Sequence, residues 1–291
     1  MDKNWLAKAN VGIVIPTYQA GAGFKNLLSE LAEQTFQPQY RLVMDSESTD
    51  DTVQFAKQAG WLTHIVAKAD FSHGRTRQQA LTILQEQSDL DFIIYMTQDV
   101  RIPNKDSLEK LLLAFVDHEV AGAYGRQLPH KDASIYAAVD REFNYPAESF
   151  VKSMSDVKKL GIKTAFCSNS FAAYRVTDLV DHGGFSSVDI CEDVDLAGRF
   201  LLQGKKIAYV AEAEVHHSHE PNLTSQWRRY RDMGRFYKEH FWIKENFGTA
   251  TSEGIKLVCY QLKRVGKEKG IVGILKILTL DSVKFIAHKF M

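Results

Sequence analysis

The chain has 291 residues, 45% of them hydrophobic, which is enough apolar material for a large core and too much for a disordered chain. Lysine plus arginine and aspartate plus glutamate balance at 36 each, so no net field draws the molecule to nucleic acid, and any anion site has to be built locally. The three cysteines, Cys167, Cys191 and Cys259, lack the paired spacing of a disulfide framework or zinc knuckle, which points to a reducing, cytoplasmic compartment.

Met1 to Asn10 is short and mixed in charge, with no secretion or transit pattern, and no apolar run reaches the roughly 18 residues of a spanning helix. Val11 to Ile15 is a continuous apolar run and reads as a buried strand of a parallel sheet. Phe24, Leu27, Leu28 and Leu31 then recur at helical spacing. A second strand spans Arg41 to Met44, and after a polar turn from Ser46 to Asp50 a helix carries Val53, Phe55 and Ala56 to a stop at Gly60. Thr63 to Val66 and Phe92 to Met96 read as further strands, separated by a helix through Ala80, Leu81 and Leu84. Strands alternating with helices predict an α/β fold with a mostly parallel central sheet flanked by helices. Ala121 to Arg126, Thr164 to Tyr174 and a short run from Lys206 to Val210 are expected as later strands, the second interrupted by Ser168, Asn169 and Ser170.

From Trp227 the texture changes to a cation-rich aromatic helix containing Arg228, Arg229, Tyr230, Arg231, Arg235, Phe236 and Tyr237, followed beyond Gly248 by a helical tail. Residues 1–240 are expected to form the main domain and 241–291 a helical extension. Between Lys256 and Lys269 the extension holds five basic residues and one acid, and Ile271 to Leu280 is dominated by isoleucine, leucine and valine. Two readings fit: an amphipathic helix making peripheral contact with an anionic membrane, or helices that pack on the domain or across a homodimer.

In an open parallel sheet ligands bind beyond the carboxyl ends of the strands, and polar residues stand at three of them. Thr17 and Tyr18 follow the first strand, Asp45 and the turn to Asp51 the second, and Thr97, Gln98 and Asp99 the run at Phe92. A dinucleotide-binding loop is excluded, because Gly21 and Gly23 lack the third small residue, position 26 being Asn26. Asp45 either receives a ribose or base donor or only caps a turn. His73, Gly74, Arg75 and Arg77 form a compact group ahead of a helix, where the glycine would allow close approach and an arginine, Arg77 rather than Arg75, would meet diphosphate oxygens. Asp99 at the end of an apolar strand requires a cation or donors, and a divalent ion bridging it to a diphosphate would offset charge on a departing nucleotide. Glu192, Asp193 and Asp195 follow Gly183 and Gly184 and precede a helix. An acceptor hydroxyl needs a carboxylate to take its proton, and Asp193 is the expected base. Glu192 would then hydrogen-bond acceptor hydroxyls, the plain alternative being an acidic helix start. His216, His217 and His219 are compatible with metal ligation and equally with surface imidazoles.

These segments together resemble the family 2 glycosyltransferases and, within them, the bacterial rhamnosyltransferase branch: VIPTYQAG at Val14 to Gly21, MDSESTDDT at Met44 to Thr52, FSHGRTRQQA at Phe71 to Ala80, MTQDV at Met96 to Val100 and CEDVDLAGR at Cys191 to Arg199. The resemblance covers roughly Val11 to Arg235. It implies an inverting enzyme of the nucleotide-diphospho-sugar transferase (GT-A) fold. Thr17, Tyr18 and Asp45 would hold the nucleoside, Gln98 and Asp99 would lie in the diphosphate and metal region with Mg2+ or Mn2+, His219 would be near the cation, and Asp193 would act as base. The usual aspartate pair of the metal motif is reduced, with Thr97 in place of the first acid, which leaves one direct carboxylate. The branch implies a dTDP-rhamnose donor and a glycan or polyprenyl-diphosphate-linked acceptor of cell-envelope polysaccharide assembly. Another UDP- or dTDP-hexose donor, and a noncatalytic sugar-nucleotide binding or scaffold protein, are the alternatives, separated by whether donor binding is followed by transfer.

Overall fold

The computed structural model describes residues 4–249 and 251–290, so Met1 to Lys3, part of the segment read for targeting signals, lie outside it. Eight strands form one sheet: β1 (Val11–Thr17), β2 (Tyr40–Asp45), β3 (Leu62–Ile65), β4 (Phe92–Met96), β5 (Val120–Leu128), β6 (Phe150–Lys152), β7 (Phe171–Arg175) and β8 (Lys206–His216). The helices are α1 (Gly21–Ala32), α2 (Thr52–Gln58), α3 (His73–Gln85), α4 (Ser107–Leu112), α5 (Ile135–Asn144), α6 (Val157–Leu160), α7 (Val176–Asp181), α8 (Glu192–Leu202), α9 (Leu223–Glu239), α10 (Phe241–Phe247) and α11 (Thr251–Lys289), the last kinked at Gly270.

The strand order is β3-β2-β1-β4-β7-β5-β8-β6. The first half is parallel throughout, β3 on β2, β2 on β1 and β1 on β4. The second half is mixed: β7 runs antiparallel to β4 and β5, β5 and β8 are parallel, and β6 closes the edge antiparallel to β8. Because successive side chains leave a strand on opposite faces, β1 sends Ile13 and Ile15 into one core with Phe24 and Leu27 of α1 and Leu108 and Leu111 of α4, and Val14 into the other. That second core joins Leu81 and Leu84 of α3 to Phe200 of α8, Phe236 of α9 and Phe247 of α10. The result is a sheet covered by helices on both faces, with the carboxyl ends of β2, β1 and β4 side by side.

Two expected strands differ in extent. Of Thr164 to Tyr174 only the end is strand, since residues 161–165 form a 3-10 turn and Ser168 to Ser170 a crossing loop. β8, by contrast, continues past Val210 to His216, its burial alternating along AEAEVH as expected of a half-exposed strand, with Glu212 exposed and Ala211, Ala213 and Val215 buried. The extension packs on the rest: Val265, Ile277, Leu280 and Ala287 of α11 are buried, and Lys284 reaches Asp140 of α5.

Candidate active site

At the end of β1, Thr17 is buried and donates its hydroxyl to Asp45 Oδ2 at 2.8 Å. Asp45, fully buried at the end of β2, also accepts the Ser48 amide at Oδ1 (2.8 Å) and the Ser48 hydroxyl at Oδ2 (2.7 Å). Three of the roughly four acceptor positions of the carboxylate are therefore used to shape the turn. The amides that open α1 are taken as well: Gln19 N–H donates to Ser48 Oγ, Ala20 N–H to Thr52 Oγ1 and Gly21 N–H to Asp50 Oδ2. These three amides therefore offer no free donor to a diphosphate. Tyr18 is exposed; its amide donates to Gln98 Oε1 at 2.7 Å, Gln98 Nε2 donates back to the Tyr18 carbonyl at 3.0 Å, and Lys68 lies over its ring. Thr17, Tyr18, Asp45 and Gln98 are thus one cluster.

Beside this cluster lies a cleft of about 570 Å³, lined by Thr97 and Asp99 after β4, His73 and Arg77 of α3, Asn169, Glu192 and Asp193, and His217 and His219 beyond β8. Its outer wall is made by Tyr136, Asp140 and Arg141 of α5 and by Gln226, Arg229 and Tyr230 of α9. Asp99, Asp193, Arg77, Glu192 and His219 are brought to one cavity; the Thr17 cluster adjoins it and does not line it.

The acidic triplet divides its tasks. Asp195 accepts from Ser186 Oγ at 2.6 Å and from Arg199, so it ties a loop to α8. Glu192 is buried, ion-paired with buried Arg77 at 3.0 Å and hydrogen-bonded by Asn169 Nδ2 at 2.9 Å. Asp193, in the first turn of α8, accepts the Asn169 amide at 3.1 Å and its neighbour's, Val194 N–H, at 2.9 Å. Burial and then the adjacent Glu192 charge push its carboxyl up to about 7, against the opposing pull of the Asn169 hydrogen bond. None of the three is the helix cap: that position is Cys191, held at φ 63° in the left-handed region without a side-chain cap bond. A strained residue two positions before a raised carboxyl in a cleft makes this a candidate catalytic site.

Arg77 points inward and Arg75 is exposed, as the alternation along α3 requires. Arg77 Nη1 contacts His73 Nδ1 at 3.1 Å, and its buried Nε–H has no partner among the described atoms. Gly74 has a different function from the one expected. A Cβ there would stand 1.9 Å from the Ser186 carbonyl oxygen, so the close approach it permits is that of a protein loop and not of an anion.

His217 Nε2 and His219 Nε2 lie 3.4 and 3.2 Å from Asp99 Oδ2, and the candidate ligand atoms of the three residues are all within 4.8 Å of one another. Two imidazole nitrogens and one carboxylate oxygen fit a divalent ion, and the imidazoles favour Mn2+ over Mg2+. His216 is not part of this set: β-strand alternation turns it to the other side, where its Nδ1 meets the Pro129 carbonyl. Sequence reasoning missed Asn169, which serves both carboxylates, and the α5 wall. The polar triplet Ser168 to Ser170 inside an apolar run was the one available signal for the former.

The sequence profile described as Glycosyl transferase family 2 matches residues 12–183. Over 279 residues the chain is 40% identical to the O-antigen chain rhamnosyltransferase WbaN of Salmonella anatum, covering 95% of this chain and 87% of that protein. Over 281 residues it is 38% identical to the O-antigen chain rhamnosyltransferase RfbN of Salmonella typhimurium, covering 96% and 88%. Among solved structures it is similar to the mannosyltransferase PcManGT from Pyrobaculum calidifontis, in complex with GDP-Man and Mn2+, at TM-score 0.63 and 14% identity over 96% of this chain and 86% of that one. It is also similar to residues 1-349 of S. aureus TarS, at TM-score 0.57 and 16% identity over 96% and 78%. At those identities the structural likeness speaks to the fold alone.

Proposed function

The chain belongs to glycosyl transferase family 2 and is a glycosyltransferase of the GT-A fold, and on that premise we propose that it transfers L-rhamnose from dTDP-rhamnose, with inversion, to a hydroxyl of a cell-envelope glycan or polyprenyl-diphosphate-linked precursor. The observation that carries the mechanism is the placement of Asp193, whose carboxyl burial and the adjacent Glu192 charge push upward, in one cleft with the Asp99 and histidine set. Asp193 accepts the proton of the acceptor hydroxyl as its oxygen bonds to the anomeric carbon. The bond from that carbon to the diphosphate oxygen breaks, and dTDP leaves. Glu192, fixed by Arg77 and Asn169, holds the negative charge that raises Asp193 and borders the acceptor space. Asp99 and His219 would hold a divalent cation, Mg2+ or Mn2+, which would supply positive charge to offset that of the diphosphate. Thr17, Tyr18 and Asp45 shape the nucleoside pocket with Gln98. Arg77 lines the cleft with its guanidinium paired to Glu192, and exposed Arg229 on the outer wall offers a guanidinium to anionic oxygens. The rhamnose assignment is supported by two relatives of that named activity, each aligned across nearly the whole chain.

Calorimetry with dTDP-rhamnose, dTDP-glucose, UDP-glucose and UDP-N-acetylglucosamine, with and without Mn2+, tests the reading. Tightest cation-dependent binding of dTDP-rhamnose, with the cation dependence lost in Asp99→Asn, is expected. Preference for a UDP-hexose would replace the donor, and binding without transfer to any acceptor would favour a noncatalytic protein.

The extension is proposed to contact the cytosolic membrane surface. No helix among the described residues is long and apolar enough to cross a membrane. Beyond the kink, however, Ile271, Leu275 and Phe285 of α11 are 69%, 59% and 64% exposed, and Lys267, Lys269, Lys276 and Lys289 are exposed around them. Apolar side chains ringed by lysines fit anionic headgroups. The wild-type chain is expected to co-sediment with phosphatidylglycerol-containing vesicles and not with phosphatidylcholine alone, and the double variant Leu275→Glu, Phe285→Glu to lose that binding. Retained binding would show that these residues are not the anchor, and a halved molecular mass in the variant would point to a homodimer contact.

A further inference from the structure

We infer that Gln127 and Arg141 are positioning residues for the cation site: they lock His217 as the tautomer with hydrogen on Nδ1, so that its Nε2 lone pair joins Asp99 and His219 as a third ligand. This inference rests on the reading of Asp99 and His219 as cation ligands. Arg141 Nη1 donates to Gln127 Oε1 at 2.7 Å, and His217 Nδ1 stands 2.8 Å from the same oxygen. An arginine has no acceptor atom, so the amide must present its oxygen to Arg141. Gln127 Nε2 is then committed to the other side, where it donates to Ser168 Oγ at 2.8 Å. An oxygen facing His217 Nδ1 can only accept, and the ring must therefore carry hydrogen on Nδ1.

The consequence appears at the other ring nitrogen. In the neutral ring Nε2 is a lone pair, and it faces a carboxylate oxygen, Asp99 Oδ2, at 3.4 Å, while His219 Nε2 approaches that same oxygen at 3.2 Å. Acceptors turned toward one another repel. A proton can bridge one pair of them, whereas a divalent cation satisfies all three. The arrangement is rigid where it matters: Gln127 and His217 are 1% and 6% exposed, and the His217 amide donates to the Leu128 carbonyl at 2.8 Å. The lock draws on three elements, β5 for Gln127, α5 for Arg141 and the end of β8 for His217, and the β5 and β8 pairing sets Gln127 opposite Val215. Imidazole ligands held this way by a buried partner are the usual means of fixing ring orientation and basicity at a metal. With two nitrogens and one carboxylate the site should prefer Mn2+ to Mg2+.

Long-range nitrogen–proton spectra of the metal-free wild type should show His217 with a protonated Nδ1 and an unprotonated Nε2. Mn2+ binding, followed by the loss of its electron spin resonance signal, should weaken about 10-fold or more in Gln127→Leu. It should stay near wild type in Gln127→Glu, whose carboxylate still accepts from both neighbours. Arg141→Met, which frees the amide to turn its NH2 toward His217, should weaken binding and shift the tautomer even if Gln127→Leu does not fold. Protonated Nε2 in the wild type, or wild-type Mn2+ affinity in Gln127→Leu and Arg141→Met while Asp99→Asn loses it, would overturn the lock and leave the cation site standing. Absence of Mn2+ binding in the wild type would overturn both.

Discussion

Glu192 and Asp193 are adjacent in sequence and opposite in circumstance: Glu192 has a buried arginine for its charge, and Asp193 has only amide hydrogens. That difference lets one carboxyl serve as a fixed charge and the other as a proton acceptor near neutral pH. Asp193→Asn keeps the volume but cannot take a proton, so single-turnover transfer should fall by roughly 100-fold or more while donor affinity persists and the chain stays folded. Near-normal transfer would remove Asp193 from the chemistry. The active form of a base is deprotonated, so wild-type kcat/KM should rise with pH to a plateau above about 7 and fall tenfold per unit well below it. Stability should move the other way. A carboxyl whose folded pKa is raised contributes stability that is present below about 4 and is lost as pH rises through about 7. Urea midpoints of wild type and Asp193→Asn should therefore diverge across that window in favour of the variant. Asp193 and Asp99 were legible because strand ends and helix starts are recognisable in a linear sequence. The division of labour was not, since it depends on Arg77 and Asn169, which lie far away along the chain.

Among the elements, α3 and the loop before α8 set the geometry of the carboxyls. Gly74 N–H donates to the Val188 carbonyl at 3.0 Å, Ser72 Oγ donates to the same oxygen at 3.3 Å, and Phe185 N–H donates to Gln78 Oε1 at 2.9 Å. Three contacts from one helix face thus hold the segment that delivers Cys191 into its left-handed turn and Asp193 into the cleft. Gly74→Ala would drive a methyl group into the Ser186 carbonyl, and backbone cannot yield as a flexible side chain does. The expected cost is about 1–3 kcal/mol by urea unfolding, with a fall in kcat as the loop shifts. Wild-type stability and turnover would show that the loop relaxes freely. The sequence showed that this glycine mattered but not what approaches it, because a helix start followed by arginines has the same appearance whether its neighbour is an anion or a loop. The same limit shortened β8: alternating alanine and glutamate has weak strand preference, and the pairing with β5, which no local pattern records, carries the strand to His216.

At the scale of the molecule, the question is whether the chain beyond 240 is an appendage or part of the catalytic body. Composition suggested a boundary there because basic and aliphatic residues replace the earlier strand and helix rhythm. The packing supports a closer union. Gly234 of α9 lies so near the His288 carbonyl that a Cβ would come within 2.6 Å of it, and the Tyr237 and His288 rings meet in a tilted contact at 6.1 Å. Buried Lys284 joins Asp281 at 3.0 Å and Asp140 at 3.4 Å, and Tyr260 and Arg264 both reach Glu142. α9 and α5, the two helices that α11 holds in this way, form the outer wall of the cleft. Removing the residues after Gly248 would therefore expose the apolar backs of α9 and α5 and leave Asp140 and Glu142 without their cations. We expect the shortened chain to melt at a lower temperature, to show hydrogen exchange in α5 and α9 faster than in α1, and to lose transfer more than cation-dependent donor binding, because the strand ends proposed to meet the nucleotide, those of β1, β2 and β4, are not part of the wall that α11 supports. A shortened chain with wild-type melting and turnover would make the extension a separate module, and its contact with a membrane would then be attachment alone. Accelerated exchange confined to the outer wall would instead mean that the extension, proposed to face lipid, is also a structural support of the cleft.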